Sequence, residues 1–115
     1  MTTESTPRIF CLTVLPDGAV GGGWGKANTV AIARVSAGIV DSVEIINVGW
    51  QALHDEGTEG GHHARIVRFL REHDVTDVAT GHMGEGMRNT LTKLGVTLHL
   101  ESQGAVSDVV ARALA

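Results

Sequence analysis

The order in which strand-like and helix-like runs follow one another constrains this chain more than any other feature. Three runs rich in β-branched and aliphatic residues come first: Arg8–Leu15 (RIFCLTVL), Thr29–Val35 (TVAIARV) and Ser42–Val48 (SVEIINV). Pro16-Asp17-Gly18 closes the first and Ser36-Ala37-Gly38 the second, and both are turn-forming combinations. Three such runs joined by short connections predict an antiparallel meander. The period then changes. His62–His73 sets Ile66, Val67, Phe69 and Leu70 at helical spacing, and Val75–Thr80 reads as a short buried strand. Met87, Leu91 and Leu94 recur at i, i+4 and i+7, with Gly95 where a helix-ending glycine belongs. Val96–Leu100 is strand-like, and Ala105–Leu114 carries a helical apolar stripe through Val106, Val109, Val110, Ala113 and Leu114. Gln51–Gly61, polar and punctuated by glycine, reads as loop.

The reading is an α/β chain of order βββ-αβ-αβ-α around a mixed five-stranded sheet. Right-handed crossovers make the strands flanking each helix parallel, so the first and third strands should run with the fourth and fifth. That is a ribonuclease-H-like, three-layer architecture. No carboxylate stands on the first strand, however, where a two-metal nuclease would need one. Residues 8–115 read as one domain, preceded by a flexible polar N-terminus of residues 1–7.

Composition excludes several roles. With 43% hydrophobic and 19% charged residues, the chain is too apolar to be a disordered tail. Its net charge is −4 and no two Lys or Arg residues are adjacent, so the basic stripe of a nucleic-acid binder is missing. No apolar run approaches the roughly 20 residues needed to span a bilayer, and Met1–Thr6 lacks a signal-peptide core. A single cysteine, Cys11, can form neither an internal disulfide nor a thiolate metal site alone, which suits a cytoplasmic location. Cys11 itself reads as a small core residue.

Ligands of open α/β sheets gather beyond the carboxyl ends of parallel strands. The loop Asp17–Ala27, the segment leading to His62-His63, the loop Gly81–Gly86 and the segment Glu101–Gly104 should therefore meet at one rim. Three of them carry conspicuous residues: Trp24 and Lys26, His62 and His63, His82 and Met83. His62 and His63 stand at a helix N-terminus, where the macrodipole favours the neutral imidazole that binds metal. Helical geometry turns adjacent side chains about 100° apart. His63 should share the apolar face of Ile66, Val67 and Leu70, leaving His62 more exposed. The Gly81-His82-Met83-Gly84-Glu85-Gly86 loop, opening a helix, offers backbone N–H groups that suit an anion. His54, His73 and His99 read as structural or solvent-facing, and Met87 as packing.

The stretch Asp77–Gly86, followed by Leu91, Leu94-Gly95-Val96, Gly104 and a last short helix, resembles the C-terminal half of the iron–molybdenum cofactor biosynthesis (NifX-like) domain. Gly23-Trp24-Gly25-Lys26-Ala27 resembles the element after that family's first strand, and the similarity runs from about Arg8 to Leu114. The resemblance implies a non-catalytic α/β module that binds iron–sulfur or iron–molybdenum clusters and exchanges them with donor or acceptor proteins. It assigns cofactor contacts to Trp24, Gly25, Lys26, Gly81, Met83, Gly84 and Gly86. The family often has histidine where this chain has Gly23, so His62, His63 and His82 become the candidate metal ligands. Two alternatives use the same residues: an anion- or nucleotide-binding regulatory module without metal, and a small metal-dependent hydrolase. The hydrolase would draw on the loop carboxylates Asp17, Asp55, Glu59 and Glu85, which form no recognisable constellation with the histidines.

Overall fold

The computed structural model describes residues 7–54 and 59–115, without the side chains of His54 and Glu59. Residues 1–6 of the expected flexible N-terminus, and Asp55, lie outside the described residues. The strands are β1 (Arg8–Val14), β2 (Thr29–Ser36), β3 (Ile39–Asn47), β4 (Asp77–Ala79) and β5 (Thr97–His99). The helices are α1 (Trp50–His54), α2 (Glu59–Glu72), α3 (Glu85–Lys93) and α4 (Val106–Leu114).

The strands form one sheet in the order β3-β2-β1-β4-β5, with β1–β2 and β2–β3 antiparallel and β1–β4 and β4–β5 parallel. The meander arises because the β2–β3 connection is only Ala37-Gly38. Both residues take positive φ (52° and 79°), the twist that a two-residue hairpin between right-twisted strands requires.

Strand alternation sends side chains to two cores. On one face Cys11, Val30, Ile32 and Val78 pack with Trp50 of α1, Ile66 and Leu70 of α2, and Met87 and Leu91 of α3. On the other, Phe10, Leu12, Ala31, Ala33 and Ala79 pack with Val109 and Val110 of α4. The small residues Ala31, Ala33 and Ala79 lie beneath α4, and all three are buried. Burial raises the pKa of the Cys11 thiol, so this cysteine is a packing group and not a thiolate ligand.

The helix pattern departs from the sequence reading in one region. Gln51–Gly61, expected as loop, contributes α1 and the first turn of α2. Gly60 and Gly61 are poor helix formers, but they occupy only the first turn of α2, whose later turns are fixed by the packing of Ile66 and Leu70. Elsewhere the boundaries shift by a few residues. Strand β3 starts earlier than expected, at Ile39, because the hairpin turn is so tight; β4 and β5 are three residues each.

At the amino ends of β1 and β4 lies a partly buried ionic cluster, which His99 joins from the last position of β5. Arg8 donates to both carboxylate oxygens of Asp77 (Nε–Oδ1 3.2 Å, Nη2–Oδ2 2.6 Å), Thr76 Oγ1 donates to Oδ1 (2.6 Å), and His99 Nε2 lies 2.9 Å from Oδ2. Burial acts to raise the Asp77 pKa, but these hydrogen bonds and the Arg8 charge outweigh it and hold the carboxyl below its ordinary range. His99 stacks on Phe10 at 5.6 Å.

Candidate functional site

The opposite, carboxyl ends of β1 and β4 carry two buried hydroxyls that organise the glycine loops. Thr13 Oγ1 donates to the Gly21 carbonyl at 2.9 Å. Thr80 Oγ1 lies 2.8 Å from the Thr13 hydroxyl and 3.3 Å from the Gly22 carbonyl. From this anchor the two loops run side by side: His82 N–H donates to Gly22 O (3.0 Å) and Trp24 N–H to His82 O (2.8 Å), an isolated parallel bridge. The approach is so close that a Cβ on Gly81 would sit 2.8 Å from Gly22 O and 2.9 Å from Gly22 N. Only glycine fits there, because the obstructing atoms are backbone and cannot rotate away.

Beside this seam opens a cleft of about 450 Å³, lined by Gly23, Trp24, Gly25, Lys26, His62, His63, His82 and the start of α3 from Gly84 to Met87. Two helix N-termini, those of α2 and α3, contribute to it. Gly84 stands at the N-cap of α3 in extended conformation, and no side chain caps that end. The free first-turn N–H groups and the positive end of the dipole suit an anion. Lys26 adds a cation on the rim, and Glu85 a carboxylate in the first turn of α3.

Trp24 is 1% exposed, and its indole meets Trp50 edge-on at 5.0 Å. Its Nε1–H has no hydrogen-bond partner among the described residues, an unusual state for a buried donor.

The three candidate histidines are not equivalent. His62 is 3% exposed and shares the Ile66–Leu70 face, while His63 is only partly buried. This reverses the expectation: spacing of four residues puts positions 62, 66 and 70 in line, and loop 23–27 covers that line. Arg65 donates to His62 Nδ1 (3.0 Å), which makes Nε2 the protonated nitrogen, and Nε2–H donates to the Gly25 carbonyl (2.8 Å). Both ring nitrogens are therefore engaged, and His62 latches α2 to the loop. His63 and His82 line the cleft, with the His63 ring 3.5 Å from where a Cβ on Gly86 would lie and His82 exposed. Among the described residues, no three His, Cys, Asp or Glu side chains are grouped to hold a metal ion.

Of the loop positions expected to touch a ligand, Trp24, Gly25, Lys26, Gly84 and Gly86 line the cleft; Gly81 and Met83 do not. Gly81 forms the loop seam, and Met83 is 3% exposed within the aliphatic core. Gly23, Glu85 and Met87 line the cleft without having been expected as ligand contacts. Met87 follows helical core spacing, so its sequence context shows only packing. Of the carboxylates considered for hydrolysis, Glu85 reaches the cleft, Asp17 accepts from the Ala19 N–H within its own turn (2.9 Å), Asp55 lies outside the described residues, and the Glu59 side chain is not among those described.

Fold and site together define a small α/β domain with a cleft at the carboxyl ends of parallel strands. A sequence model described as dinitrogenase iron-molybdenum cofactor matches residues 9–115, and the chain belongs to that family. No curated protein sequence matches it. Among solved structures, the crystal structure of PH0822 is similar with a TM-score of 0.73 at 17% identity, covering 93% of this chain and 88% of that one. The crystal structure of mj0327 from Methanocaldococcus jannaschii gives 0.66 at 12% identity (96% and 90% covered), and its NMR structure 0.66 at 10% (97% and 91%). At these identities the likeness concerns the fold.

Proposed function

We propose that the cleft carries an anionic metallocluster of iron–sulfur or iron–molybdenum type as cargo, in a non-catalytic binding or carrier role. Family membership supports the reading, and one observation carries it: imidazoles from two separate elements, His63 and His82, border the same cleft as the uncapped amide end of α3. An anionic cluster would be held by those amides and by Lys26, with His63 and His82 as its protein ligands. His62 has no ligand role in this scheme; it holds loop 23–27 in place. Release is favoured where few side chains bind the metal directly, which suits a carrier. We also read the sheet order as ribonuclease-H-like, a label for the architecture with no nuclease chemistry attached. Cluster donor or acceptor proteins follow as partners.

Anaerobic incubation with an iron–sulfur cluster donor should give visible charge-transfer absorbance and bound iron. The His63→Ala/His82→Ala double variant should lose both while keeping its melting temperature. Equal iron in wild type and variant would overturn the reading. The second reading, a module for small oxyanions or nucleotides without metal, is favoured by the lack of a three-ligand metal group among the described residues. Thermal stabilisation by phosphate or nucleotides, with none from cluster loading, would select it.

A further inference from the structure

Helix α2 turns one face to the cleft and another to a second groove. The groove, of about 360 Å³, is bounded by Ile46, Asn47 and Val48 after the meander, by Trp50 and Phe69, and by Arg65, Arg68 and Glu72. Trp50 and Phe69 meet edge-on at 5.5 Å, with Trp50 almost wholly buried and Phe69 half-buried. Arg65, Arg68 and Arg71 recur every three residues, so three of the nine Lys and Arg residues of a chain with net charge −4 fall within one span of seven. Among the described residues none of the three is paired with a carboxylate. Neighbouring like charges on one helix face repel one another, and the groove itself holds two cations, Arg65 and Arg68, against the one carboxylate of Glu72.

We propose that this groove docks an acidic segment of a partner protein, and that docking loosens the cleft through Arg65. The occupant's carboxylates would pair with Arg65 and Arg68 on the groove and with Arg71 one helical turn beyond it, and an aliphatic or aromatic side chain would settle on Phe69, Val48 and Ile46. The negative net charge and the shortness of the stripe select a protein segment over a nucleic acid. Arg65 is the link to the cleft. The guanidinium that faces the groove also donates to His62 Nδ1, and His62 Nε2–H holds the Gly25 carbonyl of the cleft wall. A carboxylate that draws Arg65 outward removes its hydrogen bond to the His62 ring and weakens the latch on loop 23–27. The docking surface stands whatever the cleft binds; the link to release rests on the cleft being the cargo site.

The test uses cluster-free protein and a fluorescein-labelled peptide of glutamates and aspartates around a central Leu-Phe pair, followed by anisotropy. Wild type should bind it in a salt-sensitive manner, and the R68Q/R71Q double variant about tenfold more weakly. R34Q/R112Q, which removes two cations elsewhere, should leave binding unchanged. No binding, equal binding by both variants, or equal binding of an oligothymidylate or of the glutamine–asparagine analogue would overturn the surface. For the link, the Lys26 amide resonance, which senses the Gly25 carbonyl, should shift on peptide saturation in wild type. In Arg65→Gln, where Arg68 and Arg71 still hold the peptide, that shift should vanish; its persistence would overturn the coupling. Failure of either arm leaves the cluster-loading result untouched, so the two readings fail separately.

Discussion

Replacing Gly81 by alanine tests the seam on which the cleft depends. The added methyl would lie 2.8 Å from Gly22 O, 2.9 Å from Gly22 N and 3.4 Å from the Gly21 carbonyl carbon. All three are backbone atoms held by Thr13 and Thr80, so the loops must part. Separation strains or breaks the His82 N–H to Gly22 O and Trp24 N–H to His82 O hydrogen bonds, together worth about 2 kcal/mol. Overpacking adds roughly 1–2 kcal/mol. The expected loss is therefore about 3–4 kcal/mol, read as a lower urea midpoint at unchanged slope. Amide exchange of Trp24 and His82 should accelerate more than that of the β1–β2 ladder, since the damage is local. A midpoint within about 0.5 kcal/mol of wild type, with both amides still protected, would show that the loops are not closely apposed and would refute the reasoning.

Stability should be flat with pH above the range where unfolded carboxylates titrate and should fall below it. The Asp77 pKa is lower folded than its ordinary value of 3.8, so its contribution is complete above that value and is lost as pH drops through the folded pKa. Asp77→Asn should flatten this acid limb and cost roughly 2–3 kcal/mol at neutral pH, at the low end for a buried pair because Arg8 keeps about a third of its side chain in water (36%); an unchanged acid limb would count against the cluster. His62→Ala should leave the Gly25 carbonyl without its donor and cost roughly 1–3 kcal/mol, with faster exchange confined to loop 23–27 and the start of α2; a uniform effect would argue against a latch. Cys11 should react with a thiol reagent only as fast as the protein unfolds, and a rapid native-state reaction would contradict its burial.

The chain's pattern alone carried the meander, the change to alternating helix and strand, the apolar face of α4 and the convergence of glycine loops at one rim. Each is a local signal: period-two runs, turn residues and helical stripes report what every short segment prefers. The first turn of α2 was hidden because Gly60 and Gly61 disfavour helix locally, and α1, five residues long, is too short to show a helical period. Met83 looked like a cleft residue because its loop neighbours are, but it sits in a core formed by residues distant in the chain.

The tertiary structure alone decided which histidine does what. His62 and His63 are adjacent and chemically identical, and only the packing of loop 23–27 on α2 buries one as a latch and leaves the other facing the cleft. It also revealed why Gly81 is glycine, since a contact between residues 22 and 81 has no trace in either segment alone. Local preference is written within a few residues of each position, whereas the environment of a ring nitrogen or a missing Cβ depends on atoms that folding brings from elsewhere.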